Sequence, residues 1–414
     1  MQIAMVSEHA SPLAALGNVD AGGQNLHVAE LSVALCQKGH AVTVYTRRDD
    51  PSLPARIRTP AGYDVVHVPA GPWEPIPRDE LLDHMPEFGD WLHRRWSRSA
   101  PDSAPDIVHG HFWMSGLACL RGAAGLGIPV TETFHALGVV KRRHQGSADT
   151  SPANRLDLER TLSQRVDRIL ATCSDELFEL ARMGAPHDRM SVVPCGVDLQ
   201  RFTADAVSAD APAPQRRMPH RIIAVGRLVP RKGFDIAIAA LRHLPTAELV
   251  IAGGPRPEEL DQDEEGSRLL RIARRQGVAD RVHVTGQIPR EHMPALLCSA
   301  DVVACTPWYE PFGIVPLEAM ASGVPVIAAA VGGLTDTVVD GVTGTLVPPQ
   351  DPNALAEAAR ELLADEALRH SCGAAGRRRV ASRYSWNRIA ADTQRIYHRV
   401  LAPSEEPNEK VAAL

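Results

Sequence analysis

The chain alternates short apolar segments, rich in valine and isoleucine, with longer segments whose apolar residues recur at helical spacing. This alternation is typical of parallel sheets whose strands are joined by helices. It predicts strands at residues 2–6, 41–45, 64–68, 106–109, 129–133, 168–172 and 191–193 in the first half, and at 221–225, 248–252, 281–284, 301–305, 325–329 and 344–347 in the second half. The predicted fold class is therefore α/β.

The first connecting helix has the clearest pattern. Between residues 24 and 38, Val28, Leu31 and Leu35 fall on one helical face, and Gly39 follows them. Glycine at this place commonly ends a helix. The segment therefore predicts a helix that leads from the first strand to the second.

The length of the chain points to two domains. A chain of 414 residues exceeds the size of one ordinary hydrophobic core. Residues 203–219 are rich in Ala, Pro and Asp and show no apolar period, which predicts a linker. We expect a Rossmann-like N-terminal domain at 1–202, a Rossmann-like C-terminal domain at 220–385, and a disordered polar tail at 402–414.

Composition limits the partners and the compartment. A net charge of −6 and a pI near 6.3 argue against a nucleic-acid partner. The seven cysteines show no paired spacing, and no apolar segment is long enough to span a membrane. We expect a cytoplasmic protein without a transmembrane segment. The sequence does not determine the oligomeric state, and a homodimer is one alternative.

Two cations follow the first strand of the second half. Arg227 and Lys232 lie in a loop that ends at Gly233 and opens a helix. A guanidinium and an ammonium at a helix start are suited to hold a phosphate or diphosphate. Taken alone, this spacing is more typical of a solvated basic turn.

Two acids change that balance. Glu310 follows the strand predicted at 301–305, and Glu318 lies eight residues later, a little over two helical turns. Carboxylates accept hydrogen bonds from sugar and ribose hydroxyls, while the amides of the first helical turn at Phe312, Gly313 and Ile314 are available to a phosphate. Cations, amides and acids together predict a nucleotide-sugar site.

Weaker signals come from the first half. Gly22 and Gly23 join the first strand's loop to the first helix and resemble an amide cradle. His109, His111 and His135 lie at or beyond strand ends, where α/β sites are built. Histidines without a matching carboxylate or cysteine set are a poor zinc pattern, so we predict polar contacts and no metal site.

These motifs together resemble the retaining family-4 glycosyltransferases of the GT-B fold, over nearly the whole chain. The resemblance implies two Rossmann-like domains facing a deep cleft, with the donor bound mainly to the C-terminal domain. It also implies that the last helix, at 386–401, returns to the N-terminal domain. The residues that carry it are Gly22, Gly23, His135, Arg227, Lys232, Glu310 and Glu318.

The resemblance also implies a role for each residue. Arg227 and Lys232 would hold the diphosphate, Glu318 the ribose, and Glu310 the hydroxyls of the donor sugar. His135 would contact the transferred sugar. The base would be read by main-chain groups of Gly286, Gln287 and Ile288, and the remaining donor contacts would be Gly22, Gly23, Phe312, Gly313 and Ile314.

Within the family, residues 7–13, 20–25 and 109–116 are similar to the branch that holds sucrose-phosphate synthase and the mycothiol-pathway inositol-phosphate N-acetylglucosaminyltransferase. That branch implies a UDP-sugar donor and a small polar acceptor. Phe112 and Ala136 replace two hydroxyl donors of the inositol-phosphate enzyme, at a cost on the order of 1.5 to 3 kcal/mol per lost bond, which disfavours that acceptor. The acceptor positions would be Arg78, His111, Phe112, Lys141 and Arg155.

We therefore predict a metal-independent transfer that retains anomeric configuration and needs no cofactor besides the nucleotide-sugar co-substrate. Open alternatives are an inositol-phosphate-type N-acetylglucosaminyltransferase, a GDP-mannose-dependent mannosyltransferase and a non-catalytic nucleotide-sugar scaffold. An NAD-linked protein is disfavoured because no G-x-G-x-x-G follows the first strand.

Overall fold

The computed structural model describes residues 1–14, 22–204 and 214–402 and contains two α/β units, each built on one sheet. The centre of the predicted linker, 205–213, and the tail from 403 to 414 lie outside the described residues. The two sheets confirm the predicted fold class.

The first sheet has eight strands within the described residues, in the order β3-β4-β2-β1-β5-β6-β7-β8. All neighbouring strands pair in parallel except β3 and β4. The strands are β1 (Gln2–Val6), β2 (Ala41–Arg47), β3 (Arg56–Arg58), β4 (Asp64–Val68), β5 (Ile107–His111), β6 (Val130–Thr133), β7 (Arg168–Ala171) and β8 (Met190–Val192). The helices of this unit are α1 (Gly23–Gln37), α2 (Met85–Ser97), α3 (Trp113–Ala123), α4 (Gly138–Gln145), α5 (Arg155–Arg165) and α6 (Ser174–Arg182).

The second sheet has six parallel strands in the described ranges, in the order β11-β10-β9-β12-β13-β14. They are β9 (His220–Val225), β10 (Ala247–Ala252), β11 (Val282–Gly286), β12 (Val302–Cys305), β13 (Val326–Ala329) and β14 (Gly344–Val347). The helices are α7 (Phe234–Leu241), α8 (Glu264–Arg275), α9 (Met293–Cys298), α10 (Ile314–Ala321), α11 (Leu334–Thr337), α12 (Pro352–Ala364), α13 (Glu366–Arg383) and α14 (Trp386–Leu401).

The structure adds one strand to those predicted and shifts several strand ends by one or two residues; β2 ends at Arg47 and β11 at Gly286, each two residues later than predicted. The sequence did not predict β3, because its three residues Arg-Ile-Arg carry no apolar run and pair only at the sheet edge. Strand β5 extends to His111, two residues beyond the predicted end, because Gly110 and His111 keep pairing with β6. Both histidines of β5 are therefore inside the sheet and not beyond it.

The strand order fixes where a ligand fits. In each sheet the chain adds strands first on one side of the first strand and then on the other. In the first sheet β2 and β5 flank β1, and in the second sheet β10 and β12 flank β9. Loops at the carboxyl ends of such strands leave a crevice between them. The loops that carry Arg227 and Glu310 follow β9 and β12 and therefore border one crevice.

Helix α14 connects the second unit to the first. Trp386, Ile389 and Tyr397 belong to a buried cluster with residues of β1, β2 and α1. The hydroxyl of Tyr397 lies 2.7 Å from Nδ1 of His109 in β5, and both groups are fully buried. The end of the chain thereby joins a core formed by its beginning.

Candidate functional site

The loops after β9 and β12 touch through a glycine. Gly233 has φ +66, and a Cβ atom there would lie 1.9 Å from the carbonyl oxygen of Thr306. The hydroxyl of Thr306 donates to the carbonyl of Gly233 at 2.8 Å. Only glycine allows this approach, and it brings Lys232 next to the loop that carries Glu310.

Lys232 and Glu310 form an ion pair in this crevice. Their Nζ and Oε2 atoms lie 2.5 Å apart, with 17% and 15% of the side chains exposed. Burial alone would raise the pKa of Glu310, but the charges of Lys232 and Arg231 and the amide of Phe312 lower it below its ordinary value. Glu310 is therefore ionised at neutral pH and fixes the position of the Lys232 ammonium in the loop after β9.

Helix α10 carries the second acid. Its N-cap Gly313 is left-handed at φ +78, and the helix begins at Ile314. Glu318 lies one turn further inside, 2% exposed, and its carboxylate pairs with the guanidinium of Arg290. Burial raises the pKa of Glu318, and Arg290 partly opposes that rise.

The N-terminus of α1 faces the N-terminus of α10 across the cleft. Gly22 is the N-cap of α1 and donates its N–H to Oδ1 of Asn25 at 3.0 Å. A Cβ atom on Gly23 would lie 3.0 Å from Cδ1 of Ile314 and 3.7 Å from the ring of Phe312. The positive ends of two helix dipoles thus converge on one place, which favours an anion there.

These groups surround one cavity of about 260 Å³ between the two units. The predicted site residues that line it are Gly22, Gly23, Arg227, Lys232, Gln287, Ile288, Glu310, Phe312, Gly313, Ile314 and Glu318. Gly286 does not line it, because this residue ends β11 and its carbonyl accepts the N–H of Gly253 at 2.8 Å. Both charged pairs, Lys232–Glu310 and Arg290–Glu318, lie on its wall.

Four buried histidines pack against one another next to this cavity: His27, His109, His111 and His135. His111 and His135 are 2.9 Å apart through Nδ1 and Nε2. His27, from α1, packs edge-on against His135 at 5.2 Å between ring centroids, and His135 lies 5.1 Å from the ring of Phe312. His135 is not on the cavity wall, so its side chain reaches the cavity only through Phe312. Its φ of +61, rare for a residue other than glycine, marks a constrained turn after β6.

Burial lowers the pKa of each histidine in this group. The pKa falls to about 4 for His27 and to about 3 for His109, and it lies well below the ordinary value for His111 and His135. The four rings are therefore neutral at pH 7. As neutral rings they serve as hydrogen-bond donors or acceptors and add no positive charge to the cleft.

Four of the five predicted acceptor residues come together behind the turn at His135. The guanidinium groups of Arg78 and Arg155 lie 5.7 Å and 5.2 Å from the ring centroid of Phe112. Nζ of Lys141 and a guanidinium nitrogen of Arg155 share the hydroxyl of Ser151, at 2.9 Å and 3.1 Å. The fifth residue, His111, is fully buried against His135 and does not border this cluster through its ring.

Each cation of this acceptor cluster already has a carboxylate partner. Arg78 and Lys141 both pair with Asp79, at 3.1 Å and 2.9 Å, and Lys141 also pairs with Asp149 at 3.0 Å. Arg155 pairs with Glu159 at 2.7 Å. The formal charge of these three cations is balanced by three acids.

The sequence of each half matches a known family. The family described as Glycosyltransferase Family 4 matches residues 21–201, and the family described as Glycosyl transferases group 1 matches residues 210–379. The D-inositol 3-phosphate glycosyltransferase of Xylanimonas cellulosilytica is 36% identical over 408 residues and is covered to 96%, as is this chain. The chain belongs to the family-4 glycosyltransferases.

Solved structures place this glycosyltransferase in the GT-B fold. Sucrose-phosphate synthase from Thermosynechococcus elongatus superposes with a TM-score of 0.84 at 33% identity, over 96% of this chain and 98% of the synthase. Anabaena HepE, solved with UDP and glucose, superposes with a TM-score of 0.71 at 19% identity, over 95% and 98% of the two chains. The predicted family and fold are confirmed.

The structure adds site residues to this glycosyltransferase that the sequence did not reveal. Arg231 and Arg290 line the donor cavity, as do Gly253 and Gly254 at the end of β10. Arg231 adjoins Lys232, and Gly253 and Gly254 directly follow the strand predicted at 248–252, so both carried a signal in the sequence. Arg290 and His27 carried none, because single residues of these types are common on surfaces and in cores.

In the described part of the chain, no helix is long and apolar enough to cross a membrane.

Low pH should destabilise the folded glycosyltransferase through His27. A base whose folded-state pKa is about 4 instead of 6.5 stays neutral while the unfolded chain takes up a proton, so its stabilising effect is present above pH 6.5 and is lost as the pH falls toward 4. In His27→Asn, we expect the loss of unfolding free energy between pH 7 and 4 to be smaller than in the wild type by about 3 kcal/mol.

Urea denaturation at several pH values measures this difference. Comparing the slopes of unfolding free energy against pH removes any loss of packing energy that is the same at every pH. The exposed His187→Asn is the matched control. Equal slopes for His27→Asn and the wild type would contradict the assignment of His27 as a buried neutral base.

Proposed function

We propose that the protein transfers a hexose or N-acetylhexosamine from a nucleotide sugar, preferably a UDP-sugar, to a hydroxyl group of a small polar acceptor. One observation carries this proposal: Arg227, Lys232, Glu310 and Glu318 line a single cavity together with the first turn of α10. Cations and amides suit a diphosphate, and acids suit hydroxyls. HepE, which has the same fold, has been solved with UDP-glucose.

In this proposal the anomeric configuration is retained. The acceptor oxygen forms its bond to the anomeric carbon on the face that the diphosphate leaves. The bond between the anomeric carbon and the diphosphate oxygen breaks at the same time. The acceptor's proton passes to the departing phosphate oxygen. The chain positions the reactants and stabilises the developing charge, and no covalent intermediate with a side chain is required.

Protein cations supply the charge that the leaving group needs. Arg227, Arg231 and Lys232 line the donor cavity, and the N-termini of α1 and α10 face each other across it. Among the described residues, no group of three or more His, Cys, Asp or Glu side chains is arranged to hold a metal ion. We propose that transfer uses these cations and helix ends without a metal or a further cofactor.

The acceptor cluster favours an uncharged acceptor. The relatives named D-inositol 3-phosphate glycosyltransferase suggest a phosphorylated cyclitol, but here Asp79, Asp149 and Glu159 already neutralise the cations around Phe112. An acceptor phosphate would have to break these pairs. We propose a neutral polyhydroxylated acceptor, such as a cyclitol or a sugar.

Replacing Lys232 tests the donor assignment. We expect Lys232→Ala to lower kcat/KM for the nucleotide sugar by about 10²- to 10³-fold, because one preorganised donor to the leaving group is lost. Release of the nucleoside diphosphate from a panel of UDP- and GDP-sugars, with acceptors present, measures the effect.

Lys232→Arg keeps the pair with Glu310 and should recover part of the activity. Lys38→Ala, at the far end of α1, is the control for loss of a lysine. Near-normal kcat/KM in a folded Lys232→Ala protein would refute the assignment.

A matched pair of acceptors tests the acceptor class. A phosphate held by a dedicated cation would gain roughly 10- to 100-fold in kcat/KM per charged bond. Because the cations of the acceptor cluster are already paired, we expect D-inositol 3-phosphate to have no such advantage over free inositol. Initial rates with each compound at a fixed donor concentration decide this. A preference for the phosphorylated compound of this size would contradict the neutral-acceptor proposal.

A further inference from the structure

Helix α14 reaches the turn after β6 through a buried series of polar side chains, Tyr397, His109 and Thr133. The hydroxyl of Tyr397 lies 2.7 Å from Nδ1 of His109, and Nε2 of His109 lies 2.9 Å from Oγ1 of Thr133. All three residues are at most 2% exposed. Thr133 ends β6, and His135 follows two residues later. The last helix is therefore joined to the turn at which the family resemblance places the transferred sugar.

His109 makes both of these bonds as a neutral ring. Burial lowers its pKa to about 3, so the imidazole carries one proton at neutral pH. A neutral imidazole donates through one nitrogen and accepts through the other, and His109 has one hydroxyl partner for each role. Loss of either hydroxyl would leave a buried ring nitrogen without a partner, which costs free energy and lets the ring shift. The position of His109 thus depends on α14 and on β6 together.

Thr133 lies between two residues with unusual backbone angles. Its carbonyl accepts the N–H of Phe112 at 2.9 Å, and Phe112 has φ +84 at the start of α3. His135, on the other side, has φ +61. Among the described residues other than glycine, Gln350 alone shares a positive φ with these two. Such angles persist where surrounding contacts hold them, and Thr133 is bonded to one of these residues and precedes the other by two positions.

A second route to the turn runs through aromatic contacts. The ring centroids of His109 and His111 lie 4.2 Å apart, and Nδ1 of His111 lies 2.9 Å from Nε2 of His135. His27 packs edge-on against both His135 and Trp386, with centroid distances of 5.2 Å and 5.5 Å. Trp386 is the first residue of α14. Both ends of this helix therefore contact the histidines that pack around the turn.

We propose that Tyr397 is a positioning residue for glycosyl transfer. Through His109 and Thr133 it holds the turn after β6 in the geometry that the reaction needs. The described lining of the donor cavity includes none of these three residues, so Tyr397 acts through other groups and not on the substrate. The inference rests on the proposed function, because the turn affects a rate only if transfer takes place beside it.

Removing the hydroxyl of Tyr397 tests this role. We expect Tyr397→Phe to lower kcat for transfer roughly 10- to 100-fold, because a misplaced turn slows the chemical step. KM for the nucleotide sugar should change little, since the donor cavity keeps its contacts. Tyr63→Phe is the matched control, because Tyr63 is 4% exposed in the same buried cluster and its hydroxyl is outside the series. A lower Tm with an unchanged kcat of the folded Tyr397→Phe protein would show a purely structural role and overturn the proposal.

A double-mutant cycle separates the series from independent packing effects. Thr133→Val keeps the shape of the side chain and removes its hydroxyl, so it should lower kcat as Tyr397→Phe does, and the double variant should be no slower than the slower single variant. Thr131→Val, which removes another buried hydroxyl from β6, is the control. Losses of kcat that multiply in the double variant would contradict the proposal. If Tyr397→Phe does not fold, equal kcat in Thr133→Val and Thr131→Val overturns it.

NMR of protein isotope-labelled at histidine gives a readout that does not depend on turnover. We expect the ring signals of His135 to shift in Tyr397→Phe and to stay in place in Tyr63→Phe. Unchanged His135 signals in Tyr397→Phe would refute the coupling between α14 and the turn. Absence of transfer by the wild type with every nucleotide sugar would instead overturn the proposed function, and it is distinguishable because the NMR comparison is made without substrate.

Discussion

The contact between the loops after β9 and β12 brings together Lys232 and Glu310, the ion pair on the wall of the donor cavity. It exists because Gly233 adopts φ +66 and lets its backbone approach the carbonyl of Thr306, where a Cβ atom would clash at 1.9 Å. Lys232, one residue earlier, is thereby held against Glu310. Because β9 and β12 are neighbours at the point where the strand order reverses, these loops also border the crevice in which α/β sheets bind ligands.

The first unit completes the site through contacts that cross the cleft. The N-terminus of α1 packs against Ile314 at the start of α10. Further along the cleft, the amide of Ser174 donates to Asp336 at 2.6 Å, and Gln145 donates to Tyr309 at 2.9 Å. Helix α14 ties the end of the second unit into the core of the first. The turn at His135 and the donor loops are thus positioned by one connected structure, which explains how residues so distant in sequence share a site.

Much of this arrangement was predictable, because strand-like runs are explicit in an α/β sequence and parallel strands end at a common edge. That rule was enough to bring Arg227, Lys232, Glu310 and Glu318 to one cavity. The Arg290–Glu318 pair was not predictable, since it depends on how the loop after β11 packs on α10. Nor did the sequence show that Asp79 and Asp149 neutralise Lys141, or that Gly286 stays in its strand, because both facts depend on three-dimensional packing and not on local pattern.

The central claim is that one nucleotide sugar lies between these four residues. A crystal structure of the protein with a bound UDP-sugar tests it most directly. The account predicts diphosphate oxygens about 3 Å from the guanidinium of Arg227 and from Nζ of Lys232, with the ribose at Glu318 and the sugar at Glu310. A UDP-sugar bound elsewhere, or bound here without contact to Arg227 and Lys232, would contradict it.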